Sequence, residues 1–268
     1  MEANALDDAV TLAKSYQKDS VNQRIASKLA KEMGLSAEQK ASLHYLTSNR
    51  KLVNLVGRAG TGKSYLMKAA TQMWTQSGYT VLGTSTSSVA CQNLQNESGA
   101  KSVTIASLKM SLQRGMKLTN KHVVILDEAG MVGTHDYAML LSACNKFGAK
   151  LVSVGDDDQL QPIGAGSFFK ALINHTGTRR LESIRRQKDK LDRKASLDLA
   201  NGKIHQALTH YRKKEAIHFG DNDKDSMNHL VERWFDKRRN TKNSEQLILA
   251  FTRAEIDQLN RLARDKLI

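Results

Sequence analysis

The sequence predicts an α/β fold: a mostly parallel sheet with helices on both faces, preceded by helices and followed by a more helical part. Three observations carry this. Short apolar runs at 52–56, 80–84, 122–126 and 151–154 alternate with helical stretches, as buried parallel strands do. The first run leads into Gly57–Ser64, which reads G-x-x-x-x-G-K-S, and then into a helical run with Leu66, Met67, Ala70, Met73 and Trp74 on one face. Two later runs end in acids, at Asp127–Glu128 and at Asp156–Asp158. In a parallel sheet the carboxyl ends of the strands face the ligand crevice.

Taken in order, residues 1–34 read as polar helices ending at Gly34. Ser36 then has the character of a helix N-cap, with Gln39 three residues on at capping-box spacing. Strand, loop and helix alternate from Leu52 as far as about Arg180, where the texture changes. Residues 179–194 hold eight basic and three acidic side chains. Helical segments follow, and then one more strand–helix pair, "QLILAFTRAEIDQLNRLAR". This gives an N-terminal helical segment at 1–34, a first α/β domain at 35–187 and a third part at 188–268. Pro162 is the sole proline, so no Pro-rich linker separates them.

Composition narrows the class. A chain of 268 residues can bury one large core or two modest ones. No apolar run approaches the ~20 residues of a membrane span. The N-terminus lacks the basic and apolar regions of a secretory signal, so a cytoplasmic location is expected. Cys91 and Cys144 are far apart, and the eight histidines show no metal-binding spacing, which argues against a disulfide framework or a zinc site. The formal net charge of +14 favours a polyanionic partner, most simply nucleic acid, over a protein that is merely basic.

The G-x-x-x-x-G-K-S stretch is a phosphate cradle. Gly57, Gly60, Thr61 and Gly62 form a loop whose backbone N–H groups turn inward, and the following helix N-terminus adds a favourable dipole. Lys63 reaches β- and γ-phosphates, and Ser64 ligates Mg²⁺. Asp127 can hold the same cation through water, while Glu128 can take a proton from the water that attacks the γ-phosphate. Alone, an Asp-Glu pair is an ordinary strand end; after a buried strand downstream of this loop it reads as catalytic. Gln159 at a strand tip serves a polar turn as well as it serves a γ-phosphate sensor. Arg185 and Arg186 supply either a cation for transferring phosphate or a solvated basic surface. Gln39 can present its amide to an adenine edge as well as complete the capping box.

Together "LSAEQKASL", "GRAGTGKS", "TIASL", "LDEAGMV", "GDDDQLQPI", "IRRQ" and "LILAFTRAEIDQLN" resemble the ordered motifs of RecD-like superfamily 1 helicases. The similarity is greatest to the helicase part of the TraA, or Ti-type, conjugative relaxase–helicases, and it runs from Leu35 onward. It implies a RecA-like P-loop domain, a second RecA-like domain of which only the opening is present, and ATP-driven 5′-to-3′ movement on single-stranded DNA. Carried over by position, Gln39 reads adenine, Gly60, Gly62, Lys63 and Ser64 hold the phosphates, and Asp127 and Glu128 bind Mg²⁺ and activate water. Gln159 senses the γ-phosphate and Arg186 is the motif IV arginine. Thr84, Ser85, Thr86 and Ser87 fall in the first DNA-contacting motif, and Thr252 and Arg253 at a DNA-side position of the second motor domain.

The resemblance also implies partners in the remaining relaxase–helicase or in other conjugation proteins. An incomplete second domain leads us to expect poorly covered apolar surface at Leu247–Phe251 and leaves a second possibility open, a non-catalytic ATP- and DNA-binding module that needs a partner chain. One departure concerns the site. Asp157 stands where the family usually has proline, and its charge is expected to weaken nucleotide binding.

Overall fold

Six parallel strands in the order β3-β2-β4-β5-β1-β6 form the frame of the first part of the chain. The computed structural model describes residues 2–18, 21–157, 168–183, 189–240 and 246–267. They divide into two compact units, 1–188 and 189–268. In the first unit the elements run α1 (Glu2–Ala13), α2 (Gln23–Glu32), α3 (Ala37–Leu46), β1 (Leu52–Gly57), α4 (Lys63–Gln76), β2 (Thr80–Ser85), α5 (Ser88–Ser98) and β3 (Lys101–Thr104). They continue with α6 (Ile105–Gln113), β4 (His122–Leu126), α7 (Thr134–Phe147), β5 (Lys150–Gly155), α8 (Phe168–Thr176) and β6 (Arg179–Leu181). The second unit holds α9 (Lys190–Ala200), α10 (Ile204–Lys213), α11 (Asp223–Asn240) and α12 (Arg253–Leu267).

The sheet is covered on both faces, as expected. On one face Val53, Leu55, Val152 and Val154 pack against Leu66, Met67, Met73 and Trp74 of α4. On the other, Leu52, Val56 and Leu151 meet Tyr137 and Leu141 of α7 and Phe168 and Phe169 of α8. Strands buried on both faces explain why the sequence shows apolar runs rather than alternation.

Two strands were not expected. β3 is only "KSVT", polar and partly exposed at the sheet edge. Gly83 lets it approach, since a Cβ there would lie 2.7 Å from Leu94 Cδ2 and would also collide with Ser102. β6 is three residues long and carries two arginines. It is fastened by Asn54 of β1, whose Nδ2 donates to Thr176 Oγ1 (2.9 Å) and Gly177 O (2.8 Å), while Thr178 Oγ1 donates to Asn54 O (3.0 Å). Side-chain hydrogen bonds of this kind leave no periodic mark in a sequence.

At the amino end of the sheet, Ser15 and Gln17 pair with the backbone of Asn49 and Lys51. Beside them Lys150 is wholly buried, and its Nζ donates to Ser48 O at 2.6 Å. Burial pulls this amine down to about 7.

In the second unit α9 and α10 are joined by Lys214 Nζ, which bridges Asp189 (3.0 Å) and Asp192 (2.7 Å). The strand expected at "QLILAF" does not form. Residues 246–250 are irregular, and Leu247, Leu249 and Phe251 are exposed, Phe251 by 99%. Among the described residues of this unit there is no strand whose backbone could pair with theirs. Among the described residues of the whole chain, no helix is long and apolar enough to cross a membrane.

Candidate functional site

The loop between β1 and α4 opens on a cleft of about 460 Å³ whose lining includes Gly60, Gly62, Lys63, Ser64, Asp127 and Glu128. Gly60 and Gly62 sit at φ +82° and +89°, the left-handed region that glycine enters without a Cβ penalty. At Gly57 a Cβ would come within 2.7 Å of Thr61 Oγ1. Thr61 is buried and donates to Arg58 O (2.8 Å), which closes the loop on itself. No side chain caps the N-terminus of α4. Its first N–H groups therefore face the cleft as an anion site. Lys63 Nζ donates to the carbonyls of Gly57 (2.5 Å) and Arg58 (3.4 Å). These are neutral acceptors, and phosphate oxygens offer the same ammonium a charge-assisted bond.

Across β5, which lies between β1 and β4, the second half of the cleft is acidic. Asp127 leaves β4 with its N–H donating to Thr84 O (2.9 Å) and its carbonyl accepting from Ser85 Oγ (3.2 Å). Burial, and then the charge of Glu128, raise its carboxyl to about 6, against the opposing pull of Lys63. Glu128 has φ +51° and ψ +42°, and its Oε2 is buried without a hydrogen-bond partner among the described residues. A non-glycine residue held there stores roughly 1–3 kcal/mol. Glycine at 130 allows the turn to close, because a Cβ would lie 2.7 Å from Asp156 O. Excess negative charge, a partnerless carboxylate oxygen and the hydroxyl of Ser64 on the same cleft suit a hard cation such as Mg²⁺. No group of three or more His, Cys, Asp or Glu side chains gathers among the described residues, so such an ion would keep several waters.

The remaining expected residues divide. Gln159 and Arg186, with Arg185, lie outside the described residues. Gln39 is only 2% exposed and completes the capping box, its Oε1 accepting from Ser36 N (3.2 Å) and Ser36 Oγ (3.4 Å). Of the four hydroxyls expected on DNA, Thr84 and Ser85 are buried inside β2. Thr86 and Ser87 are exposed, and Ser87 Oγ accepts from Ala90 N as the cap of α5. Thr252 and Arg253 lie in the second unit, where Thr252 and Glu255 form a reciprocal cap at the start of α12.

Asp157 has a partner. Arg180 of β6 grips it with two bonds of 2.6 and 3.1 Å and holds its carboxyl below the usual range. Its charge is thus answered by an arginine that sequence reading treated as part of a basic run. Two further residues gave no earlier signal. Glu38 accepts from the backbone N–H groups of Glu182 (2.6 Å) and Ser183 (3.4 Å), tying α3 to the chain beyond β6. Tyr65 lines the cleft and donates to Met33 O at 2.8 Å.

A parallel sheet with this loop, lysine and acid pair defines a P-loop nucleotide-binding domain of the α/β class. Residues 34–222 match the family AAA_30, described as an AAA domain, and the chain belongs to that family. It is 40% identical over 235 residues to a conjugal transfer protein TraA of Rhizobium radiobacter, a match covering 87% of this chain and 21% of that one. It is 32% identical over 177 residues to the ATP-dependent RecD2 DNA helicase of Deinococcus radiodurans, covering 64% of this chain and 24% of that one. The chain therefore spans about a fifth to a quarter of the length of the curated relatives it matches. Among solved structures, a Pif1 helicase from Candida albicans is similar in fold, with TM-score 0.50 and 21% identity over 85% of this chain and 53% of that one.

Proposed function

We propose that this chain is the ATP-binding motor portion of a single-stranded-DNA translocase that serves conjugative DNA transfer. The observation that carries the reading is the meeting of Lys63 and the Asp127–Glu128 pair on one cleft, with Glu128 held in a left-handed conformation. The triphosphate lies along Gly60–Ser64, where the N–H groups of α4 and the Lys63 ammonium take its charge. Ser64 and Asp127 would hold Mg²⁺, whose charge would offset that of the phosphates. Glu128, one oxygen of which has no partner among the described residues, accepts the proton of the attacking water. Gln159 and Arg186 act as γ-phosphate sensor and compensating cation in this reading. The TraA and RecD2 relatives support DNA as the track, and the net charge of +14 supports a polyanion. Thr86 and Ser87 are the exposed members of the first DNA motif, with Thr252 and Arg253 as contacts of the second unit.

Calorimetric titration tests the core of the proposal. Lys63→Ala is expected to remove most Mg–ATP binding. Equal ATP affinity of Lys63→Ala and the parent chain would refute the phosphate-site reading.

A further inference from the structure

The sequence offers Gln39 as the residue that recognises the base, and the structure commits that side chain elsewhere. To read adenine through both its hydrogen-bonding atoms, a carboxamide must use its oxygen to accept and its nitrogen to donate. The Gln39 oxygen already accepts from the Ser36 backbone and hydroxyl, and the residue is buried. Hydrogen-bond reading of the base thus competes with the cap of α3.

Topology says where the base must go. Asp127 and Glu128 stand on β4, on one side of the phosphate loop. On the other side α3 packs on β1 and β6, and both α2 and α3 pack against α4. A triphosphate with its terminal phosphate near the acid pair carries its nucleoside toward the α2–α3 side. Tyr65 is in that place. It is the third residue of α4, immediately after Ser64, and it lines the same cleft. The residue is 45% exposed, while its hydroxyl is fixed to Met33 O at the end of α2. An aromatic side chain tethered by its polar tip and partly exposed on the cleft is a stacking surface that needs little reordering on binding.

We propose that Tyr65 is the platform on which the base of the bound nucleotide stacks, so that the site distinguishes adenine from guanine only weakly. This rests on the triphosphate reading of the Gly57–Ser64 loop. Stacking is tolerant of base identity because every base has a π-face.

The test compares Mg–ATP, Mg–GTP and Mg–tripolyphosphate by calorimetry on the full chain and on Tyr65→Leu, Tyr65→Phe and Lys63→Ala. Loss of one base–aromatic stack corresponds to about tenfold in affinity. Tyr65→Leu is expected to weaken ATP and GTP by that factor and to leave tripolyphosphate unchanged, while Tyr65→Phe keeps most of the affinity. The parent chain is expected to bind ATP and GTP within about tenfold of each other. Unchanged ATP affinity in Tyr65→Leu, tripolyphosphate weakening in step with ATP, or a preference for ATP over GTP above about a hundredfold would each overturn the proposal. Lys63→Ala reports separately. If it spares tripolyphosphate, the phosphate-loop reading itself fails.

Discussion

Replacing Lys150 by methionine should stabilise the fold at neutral pH and do little at high pH. The side chain is wholly buried at the amino end of β5, and among the described residues it has no ion-pair partner. Its amine falls from 10.5 to about 7 on folding, so the unfolded chain binds more protons across that window. Stability of the parent chain therefore rises with pH between about 7 and 10.5, and the full penalty of burying the charge is felt below 7. A shift of about 3.5 units corresponds to an upper bound of about 5 kcal/mol. Methionine keeps the volume but gives up the bond to Ser48 O, a loss of about 1 kcal/mol or more. The expected net gain is about 3 kcal/mol at pH 6.5, shrinking by roughly 1.4 kcal/mol per pH unit above 7. Urea unfolding of both proteins at pH 6.5 and 9.5 measures it. A Lys150→Met protein that is less stable at pH 6.5, or a gap equal at both pH values, would refute the reasoning.

Three other outcomes are expected. Glu128→Gln should bind ATP as the parent does and turn it over about 10²- to 10⁴-fold more slowly, as steady-state phosphate release will show. Arg180→Ala should remove the main cation holding Asp157 and weaken Mg–ATP binding in calorimetry, and adding Asp157→Ala should restore it. Binding to single-stranded DNA, followed by anisotropy across a salt series, should weaken with log K falling about 0.7 per phosphate neutralised. A flat salt series would argue against backbone contacts as the source of affinity.

Much of the first unit was legible because its strands are apolar on both faces and its loop glycines have a fixed chemical purpose. The four long strands, the buried face of α4 and the capping box at Ser36 follow from patterns that repeat within a few residues. What escaped depends on partners distant in the chain. Arg180 reads as one more basic residue until folding sets it against Asp157, twenty-three positions earlier. Thr84 and Ser85 look available because hydroxyls tolerate both water and strands, and only the pairing of β2 with β3 and β4 buries them. The misplaced strand at "QLILAF" shows the same limit, since an apolar run signals a strand only where another backbone is there to meet it. Tyr65 gave no signal at all, as its meaning comes from Met33 across a helix boundary.

The backbone of Glu128 has a consequence for anyone who evolves this protein. Its left-handed conformation is one that glycine adopts freely and glutamate does not. A Glu128→Gly variant would relax roughly 1–3 kcal/mol of strain and discard the side chain that lines the cleft. Libraries sorted only by expression yield or heat resistance will therefore reward the loss of this carboxylate. Any such screen should carry a nucleotide-turnover readout beside the stability one, because at this position the two selections pull in opposite directions.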